Sequence, residues 1–420
     1  MIGTHGALIV LALAAPALLF DGLVSWCFAA AVAALGLVSL LFANTSSLKR
    51  SWSSCRPALP GGIVLVAIPV LQLLPWAPSG LASPIWEQTS EALQTVLGRP
   101  ISLDPSLTLA GLANAIALLA LAATTALAAG DRMQAAQLYR ATCLSTVAMA
   151  ALLVADGRLK LLEADPGALP TLVGSLCLIV AAGLGAAATR HRDRASTSRW
   201  RPRIDLALAV LTAATGLLAL GRAPDPAGLI TAAVGAAICL LTARLPLPPF
   251  GTRTALAITA LVALPAIALV FGPGRDDVSS ALIAAARLDR TIAAPAAQRM
   301  LSDTPLLGSG GGTFAALAEL YGPASSDGKA PPSAAVKVYV EYGPIGLLAL
   351  LASGLFLALK LIAGAARRGR DRHYSACAAA VVLVAMAQSL LDASLTGAAP
   401  QVVIALLVGI GLAQRRSADR

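Results

Sequence analysis

The chain has 420 residues, 57% of them hydrophobic and only 12% charged, and its mean hydropathy is +0.78. No soluble surface can be made from that composition, so the apolar side chains must face lipid and one another. A net charge of +10 would suggest nucleic acid in a soluble protein, so the test is where the basic residues lie relative to the apolar segments.

Crossing the hydrocarbon core of a bilayer takes about 20 mostly apolar residues, and windows of that kind recur from end to end. Spans are expected near 5–20, 23–43, 60–75, 106–129, 141–155, 171–189, 204–220, 227–243, 254–272, 343–363, 375–391 and 399–413. The first, third and fifth are short for a full crossing. The opening apolar stretch has no basic n-region, His5 being its one ionisable side chain before Asp21, and is expected as a retained helix rather than a signal peptide. With both termini cytoplasmic, basic residues crowd the inner connections and acidic ones the outer. Densest are Arg190, Arg192, Arg194, Arg199, Arg201 and Arg203, and the cluster Arg367, Arg368, Arg370 and Arg372. Both fall inside, as the positive-inside rule requires. This is a topology signal with attraction to anionic lipid, not a nucleic-acid surface. Of the six cysteines, Cys27, Cys143, Cys177, Cys239 and Cys377 fall within expected spans and Cys55 is cytoplasmic; their spacing suggests neither a disulfide framework nor a metal site.

The fold class is therefore an all-α integral membrane protein of about twelve transmembrane helices. Helices one to nine occupy 1–272, a large extracytoplasmic loop occupies 273–342, and helices ten to twelve with a basic tail occupy 343–420. Short links join the spans, and no internal repeat is visible. A long connection such as 273–342 is commonly functional or disordered. Within it a helix is expected over 279–294, broken at Pro295, and helical structure again around Gln298–Leu301. A glycine-rich turn from Thr304 to Gly312 follows, then a short helix from Phe314 to Leu320 and an open loop to Ser333. The outer segment 77–105 carries an expected helix over 84–97.

Three features on the outer side rise above packing. Arg222, in Gly221-Arg222-Ala223, lies close to the hydrocarbon boundary, where a guanidinium must snorkel, pair or bind an anion; its fork suits a phosphate or carboxylate. Arg287 and Arg290 share one helix face and precede Arg299 and Asp303-Thr-Pro305-Leu-Leu-Gly308-Ser-Gly310, with Asp289 and Asp303 as local counter-ions. A glycine run can turn N–H groups toward an anion or be a plain flexible turn. Glu341 stands in Glu341-Tyr-Gly343-Pro-Ile-Gly346. It can pair with Lys337 one helical turn earlier or serve as a base or acceptor-orienting group.

Those landmarks, in that order, resemble the O-antigen ligase and O-antigen polymerase superfamily of bacterial polytopic membrane glycosyltransferases. Members carry an Arg, a Trp four residues on, a D-x-P-L-L-G-x-G-x-G-x-F stretch and a later E-x-G-x-x-G. Arg290, Asp303, Pro305, Leu306, Leu307, Gly308, Gly310, Gly312, Phe314, Glu341, Gly343 and Gly346 match in order and spacing. Leu71-Gln72-Leu73-Leu74-Pro75, Pro100-Ile-Ser-Leu-Asp-Pro105 and Gly221-Arg222-Ala223 are similar to elements of the family's earlier part. The resemblance implies an inner-membrane protein with a periplasmic loop between helices 9 and 10. It implies transfer of a glycan from an undecaprenyl-pyrophosphate carrier to an acceptor sugar without metal or cofactor. Arg222, Arg290 and Glu341 would be catalytic, with Arg287, Lys337, Gly308, Gly310 and Asp303 contacting substrate. The partners implied are the lipid-linked glycan, membrane lipid and other polysaccharide-assembly proteins. Two departures stand out. Ala294 replaces the Trp, and Pro332 and Ser333 stand where ligases place a His-Asn pair. His5, His191 and His373 are all on the cytoplasmic side, so a carboxylate (Glu341, Asp303 or Asp327) or the substrate itself would have to take the proton. The missing pair favours polymerase over ligase. A non-catalytic binder of lipid-linked glycan and a secondary transporter or flippase are the alternative readings.

Overall fold

The structure is a computed structural model and describes residues 2–20, 22–41, 45–75, 83–159, 168–192, 200–222, 226–245, 251–271, 275–286, 293–321, 330–367 and 371–415. Among these residues the regular elements are helical: α1 (Ile2–Ala14), α2 (Gly22–Leu41), α3 (Thr45–Cys55), α4 (Leu59–Leu73), α5 (Pro84–Leu93), α6 (Pro105–Ala128), α7 (Arg132–Leu159), α8 (Leu169–Arg192), α9 (Trp200–Leu220), α10 (Pro226–Arg244), α11 (Thr252–Phe271), α12 (Arg275–Ala285), α13 (Ala293–Asp303), α14 (Phe314–Tyr321), α15 (Ala334–Arg367), α16 (Arg372–Leu391) and α17 (Ala398–Ala413). Short 3-10 turns follow α1 and α3 and join α16 to α17.

Eight described stretches are long and apolar enough to cross a membrane: Ser51–Leu73, Pro105–Ala128, Arg132–Asp156, Leu169–Thr189, Arg203–Leu220, Pro226–Arg244, Ala334–Arg367 and Arg372–Leu391. Shorter apolar helices cover Thr4–Leu19, Cys27–Gly36, Thr252–Leu264 and Ala398–Ala413. Many of these helices turn large apolar side chains outward, among them Val210, Leu217, Leu218, Ile230 and Leu261. That surface fits lipid rather than water, and the chain has the build of a multi-pass α-helical membrane protein.

The core lies where α8 meets α9, α10 and α16, and where α17 packs on α6 and α16. Small residues let the backbones approach, as is usual where lipid supplies no hydrophobic driving force between helices. A Cβ at Gly174 of α8 would lie 2.8 Å from the Gly216 carbonyl of α9, and one at Gly216 would lie 2.7 Å from Cys177.

Polar contacts between helices gather at two opposite ends of the bundle. At one end Arg132 pairs with Asp371 and Arg140 with Asp205, His5 meets Gln137, and Gln414 donates to the Ala129 carbonyl. At the other, α4, the approach to α6, the 304–313 turn and the first part of α15 come together, and Gln388 of α16 meets Thr171 of α8. Successive long helices thus run antiparallel.

Several boundaries differ from expectation. Instead of one helix over 279–294 there are two, α12 and α13, with 287–292 outside the described residues. Pro295 does not break a helix. It lies in the first turn of α13, where an N–H would have no partner anyway. Helix α7 extends well before 141, because polar residues such as Arg132 and Gln134 lower hydropathy without stopping a helix. The span expected from 343 begins at a break in α15 at Gly343, and a further helical segment from Ala334, carrying Lys337 and Glu341, precedes it. The outer helix α5 ends at Leu93 rather than 97, where Gln94 adopts a left-handed conformation with φ 51°.

Candidate functional site

The junction at the second end starts from a covalent fact. Pro344 has no N–H, so in α15 the Val340 carbonyl loses its normal intrahelical donor. Gly343 takes φ 74° and ψ 173°, and α15 kinks there. The 304–313 turn fills the gap. Ser309 N–H donates to the Val340 carbonyl at 2.9 Å and Gly310 N–H to the Glu341 carbonyl at 3.2 Å. The approach is backbone to backbone: a Cβ at Gly308 would lie 2.3 Å from the Glu341 carbonyl oxygen, and one at Gly343 would lie 2.1 Å from the Leu306 carbonyl oxygen. Gly308, Gly310 and Gly312 have φ of 78°, 119° and 81°, a region L side chains avoid.

Gln72, at the end of α4 and 0% exposed, locks this contact. Its Nε2 donates to the carbonyls of Leu307 (2.6 Å) and Glu341 (2.7 Å), and its Oε1 accepts from Gly311 N–H at 3.3 Å. The segment leading to α6 closes the other side. Ser102 N–H donates to the Gln72 carbonyl and Leu103 N–H to the Ser309 carbonyl. Asp104 then caps α6, accepting from Ser106 N–H at 2.8 Å and Leu107 N–H at 3.1 Å. Hydrogen bonds from the Ser106 hydroxyl first, then from the Leu107 backbone, hold the Asp104 carboxyl below its ordinary value.

Glu341 is 5% exposed. Its Oε1 accepts from Phe314 N–H at 3.4 Å, Gly312 N–H also bonds the carboxylate, and Lys337 Nζ stands 4.0 Å away. The glycine turn and the start of α14 thus receive the protein's own Glu341 carboxyl group. The N–H groups of Gly308 through Phe314 are engaged by protein acceptors. Gly308 and Gly310 therefore shape the turn, and their N–H groups serve the protein's own carbonyls.

The other expected site residues stand as follows. Asp303 is exposed and accepts from the Tyr321 hydroxyl at 2.8 Å, tying α13 to α14; Arg299 donates to the Tyr321 carbonyl at 3.1 Å. Partial burial first, then the bond to Asp303, pushes the Tyr321 phenol up. Lys337 is partly exposed beside Glu341. Arg222 is exposed just beyond α9, and one of its terminal nitrogens donates to the Val154 carbonyl at 2.8 Å. Arg287, Arg290, Asp289 and Asp327 lie outside the described residues. His5 and His373 sit at the end of the bundle away from the glycine turn. Among the described residues, no three His, Cys, Asp or Glu side chains are grouped to hold a metal ion.

The chain matches no protein-family model and no curated protein.

Sequence reasoning missed two parts of this end. Gln72 was visible only as one letter of a similar segment, since its partners are more than 230 positions away. The second part is a buried network in which the Gln388 amide meets Asp392, Thr171 and Thr231. Asp392 also accepts from Ser394 N–H, and its carbonyl accepts from Ala334 N–H at the start of α15. The only signal for it was a Gln and an Asp four apart at the end of an apolar helix.

Proposed function

We propose that this chain is a bacterial inner-membrane glycosyltransferase that polymerises or ligates undecaprenyl-pyrophosphate-linked glycan at the periplasmic face. In this reading the four shorter apolar helices cross the membrane with the eight longer ones, giving twelve crossings. The end holding Arg132, Arg140 and Arg372 is cytoplasmic, by the excess of positive charge, and the glycine turn is periplasmic. The observation that carries the reading is the union of the Asp303-to-Phe314 stretch with Glu341-x-Gly343, two motifs that mark the family it resembles, in one packed junction.

Chemically, an acceptor sugar hydroxyl attacks the anomeric carbon and the bond from that carbon to the diphosphate oxygen breaks. The diphosphate leaves with the electron pair and can take the hydroxyl proton, so no histidine is required. The developing charge falls to guanidinium groups. Arg222 has N–H groups besides the one that donates to Val154, and Arg290 is the position matching the family's second arginine. Arg287, Lys337 and Asp303 border the substrate. Glu341 and the glycines act by holding the turn that the substrate meets.

A second reading has one observation in its favour. At the place of the His-Asn pair, Ser333 is fully buried and its hydroxyl oxygen accepts from Val336 N–H, capping α15. A residue used that way serves the fold, which suits a non-catalytic binder of lipid-linked glycan in an assembly complex. The test is to give purified protein lipid-linked repeat units and measure the carrier diphosphate. Release by the native chain, lost in Arg290→Ala at equal protein level, is expected; no release by the native chain would leave the binder.

A further inference from the structure

Helix α5 lies outside the crossings, yet its apolar face is bare. Ile85, Thr89, Ala92 and Leu93 follow the spacing of one helical face, Gln88 lies at its edge, and Glu87 and Glu91 occupy the opposite one. Ile85 is 47% exposed, Leu93 61% and the following Val96 102%. An apolar face of this kind on an extramembrane helix marks an interaction surface.

Its position indicates the occupant. Trp86 Nε1–H donates to the Ser102 carbonyl at 2.9 Å and Ser83 N–H to the Pro100 carbonyl, which fixes α5 at the height where α6 begins. In the first turns of α6, Leu107 and Leu109 are already exposed, as lipid-facing residues of a crossing helix are. The bare face of α5 is thus level with the edge of the lipid-facing belt. Trp86, half-buried with its ring nitrogen satisfied, is the amphipathic residue favoured at that depth.

We infer that α5 is an interfacial helix, its Ile85–Leu93 face lying in the lipid headgroup layer at the glycine-turn end of the bundle. Its charged residues are Glu87 and Glu91, so apolar insertion holds it and anionic lipid adds nothing. The bond from Trp86 to Ser102 carries the consequence inward, because Ser102 abuts Gly310: a Cβ there would lie 2.5 Å from the Ser102 hydroxyl oxygen. A docked α5 braces the segment on which the glycine turn rests. This inference uses the membrane-spanning build alone and stands whatever chemistry the site performs.

The test places nitroxide labels at Ile85→Cys, Leu93→Cys, Glu87→Cys and Glu91→Cys, one at a time, with the exposed Cys27 replaced by Ser, in nanodiscs of neutral or anionic lipid. Accessibility to oxygen relative to a water-soluble nickel complex should be about threefold higher at 85 and 93 than at 87 and 91. It should be the same in both lipids and at high salt. Equal, water-like accessibility on both faces would overturn the inference, as would a face at 85 and 93 shielded from both reagents, which would mean that protein covers it. Ile85→Asp in the Leu93→Cys protein should move the label at 93 toward water; no change would also count against docking.

Discussion

The two ends of the bundle are built by different means. At the ion-paired end regular helices meet directly. Arg140 Nε lies 2.7 Å from Asp205, Arg132 Nε lies 3.0 Å from Asp371, and the His373 and Tyr374 rings pack with centroids 3.9 Å apart beside Tyr139. Side chains can do this work because the helices satisfy their own backbones. At the glycine-turn end the backbone is irregular, interrupted at Gly343 and Pro344 and looped through Gly308 to Gly312. Each N–H and C=O exposed there needs a partner from another segment, because lipid offers none. The junction is therefore held by one amide, one carboxylate and carbonyl-to-N–H bonds across segments far apart in sequence. Irregular backbone at membrane depth is tolerated where it is enclosed by protein or lines a cavity, which is why this end carries the proposed chemistry.

The largest effect should come from denying the junction its close approach. Gly343→Ala adds a strained left-handed residue and a Cβ 2.1 Å from the Leu306 carbonyl oxygen, so the turn must move. The expected cost is about 3–5 kcal/mol, read as a lower unfolding midpoint in nanodiscs. Faster amide exchange over 305–313 should accompany it, without faster exchange at the start of α7. Equal loosening at both ends would mean that the junction is not a local unit.

Gln72→Leu should come next. The Leu307 carbonyl loses its Gln72 donor and Gly311 N–H its acceptor, while the Glu341 carbonyl keeps Gly310 N–H. A loss of about 2–3 kcal/mol is expected. Gln72→Glu separates the roles: its carboxylate still accepts from Gly311 but cannot donate to the two carbonyls, and it buries a charge beside them. It should be at least as damaging as Leu. A tolerated Gln72→Glu would show that the single acceptor role suffices and that the amide's donors are idle.

How much of this was legible in the sequence follows from what each signal measures. Hydropathy located α6, α8, α10 and α16 closely, because their apolar runs are long and uninterrupted. It placed the start of a span at the Gly343 break in α15 and missed the helical segment from Ala334 that precedes it, because Lys337 and Glu341 look like loop residues to a window average while fitting one helix turn apart. The Asp303–Phe314 and Glu341–Gly346 stretches could be recognised as units, and their contact was not readable. It depends on Pro344 freeing a carbonyl and on a glycine turn presenting N–H groups to it. Nor could the pattern show that those N–H groups serve Glu341, Gln72 and backbone carbonyls. A glycine run that cradles the protein's own carboxylate spells the same letters as one that cradles a phosphate.

The smallest effect belongs to the margin of the junction. Asp104 holds the first turn of α6 and is partly exposed, so Asp104→Ala should cost about 1 kcal/mol at neutral pH. The sign of its pH dependence follows from the lowered carboxyl. A group whose folded pKa lies below its unfolded one stabilises fully above the unfolded value, ordinarily 3.8, and that contribution fades as pH falls through the lowered folded value. The difference between native chain and Asp104→Ala should hold steady from pH 8 to about pH 5 and shrink below about pH 4. Asp104→Asn, which keeps an acceptor oxygen, should retain most of the cap and show little of that pH dependence. A difference that grows on acidification would mean that Asp104 is protonated more readily in the folded chain than in the unfolded one. The cap would then not be the source of its stabilisation.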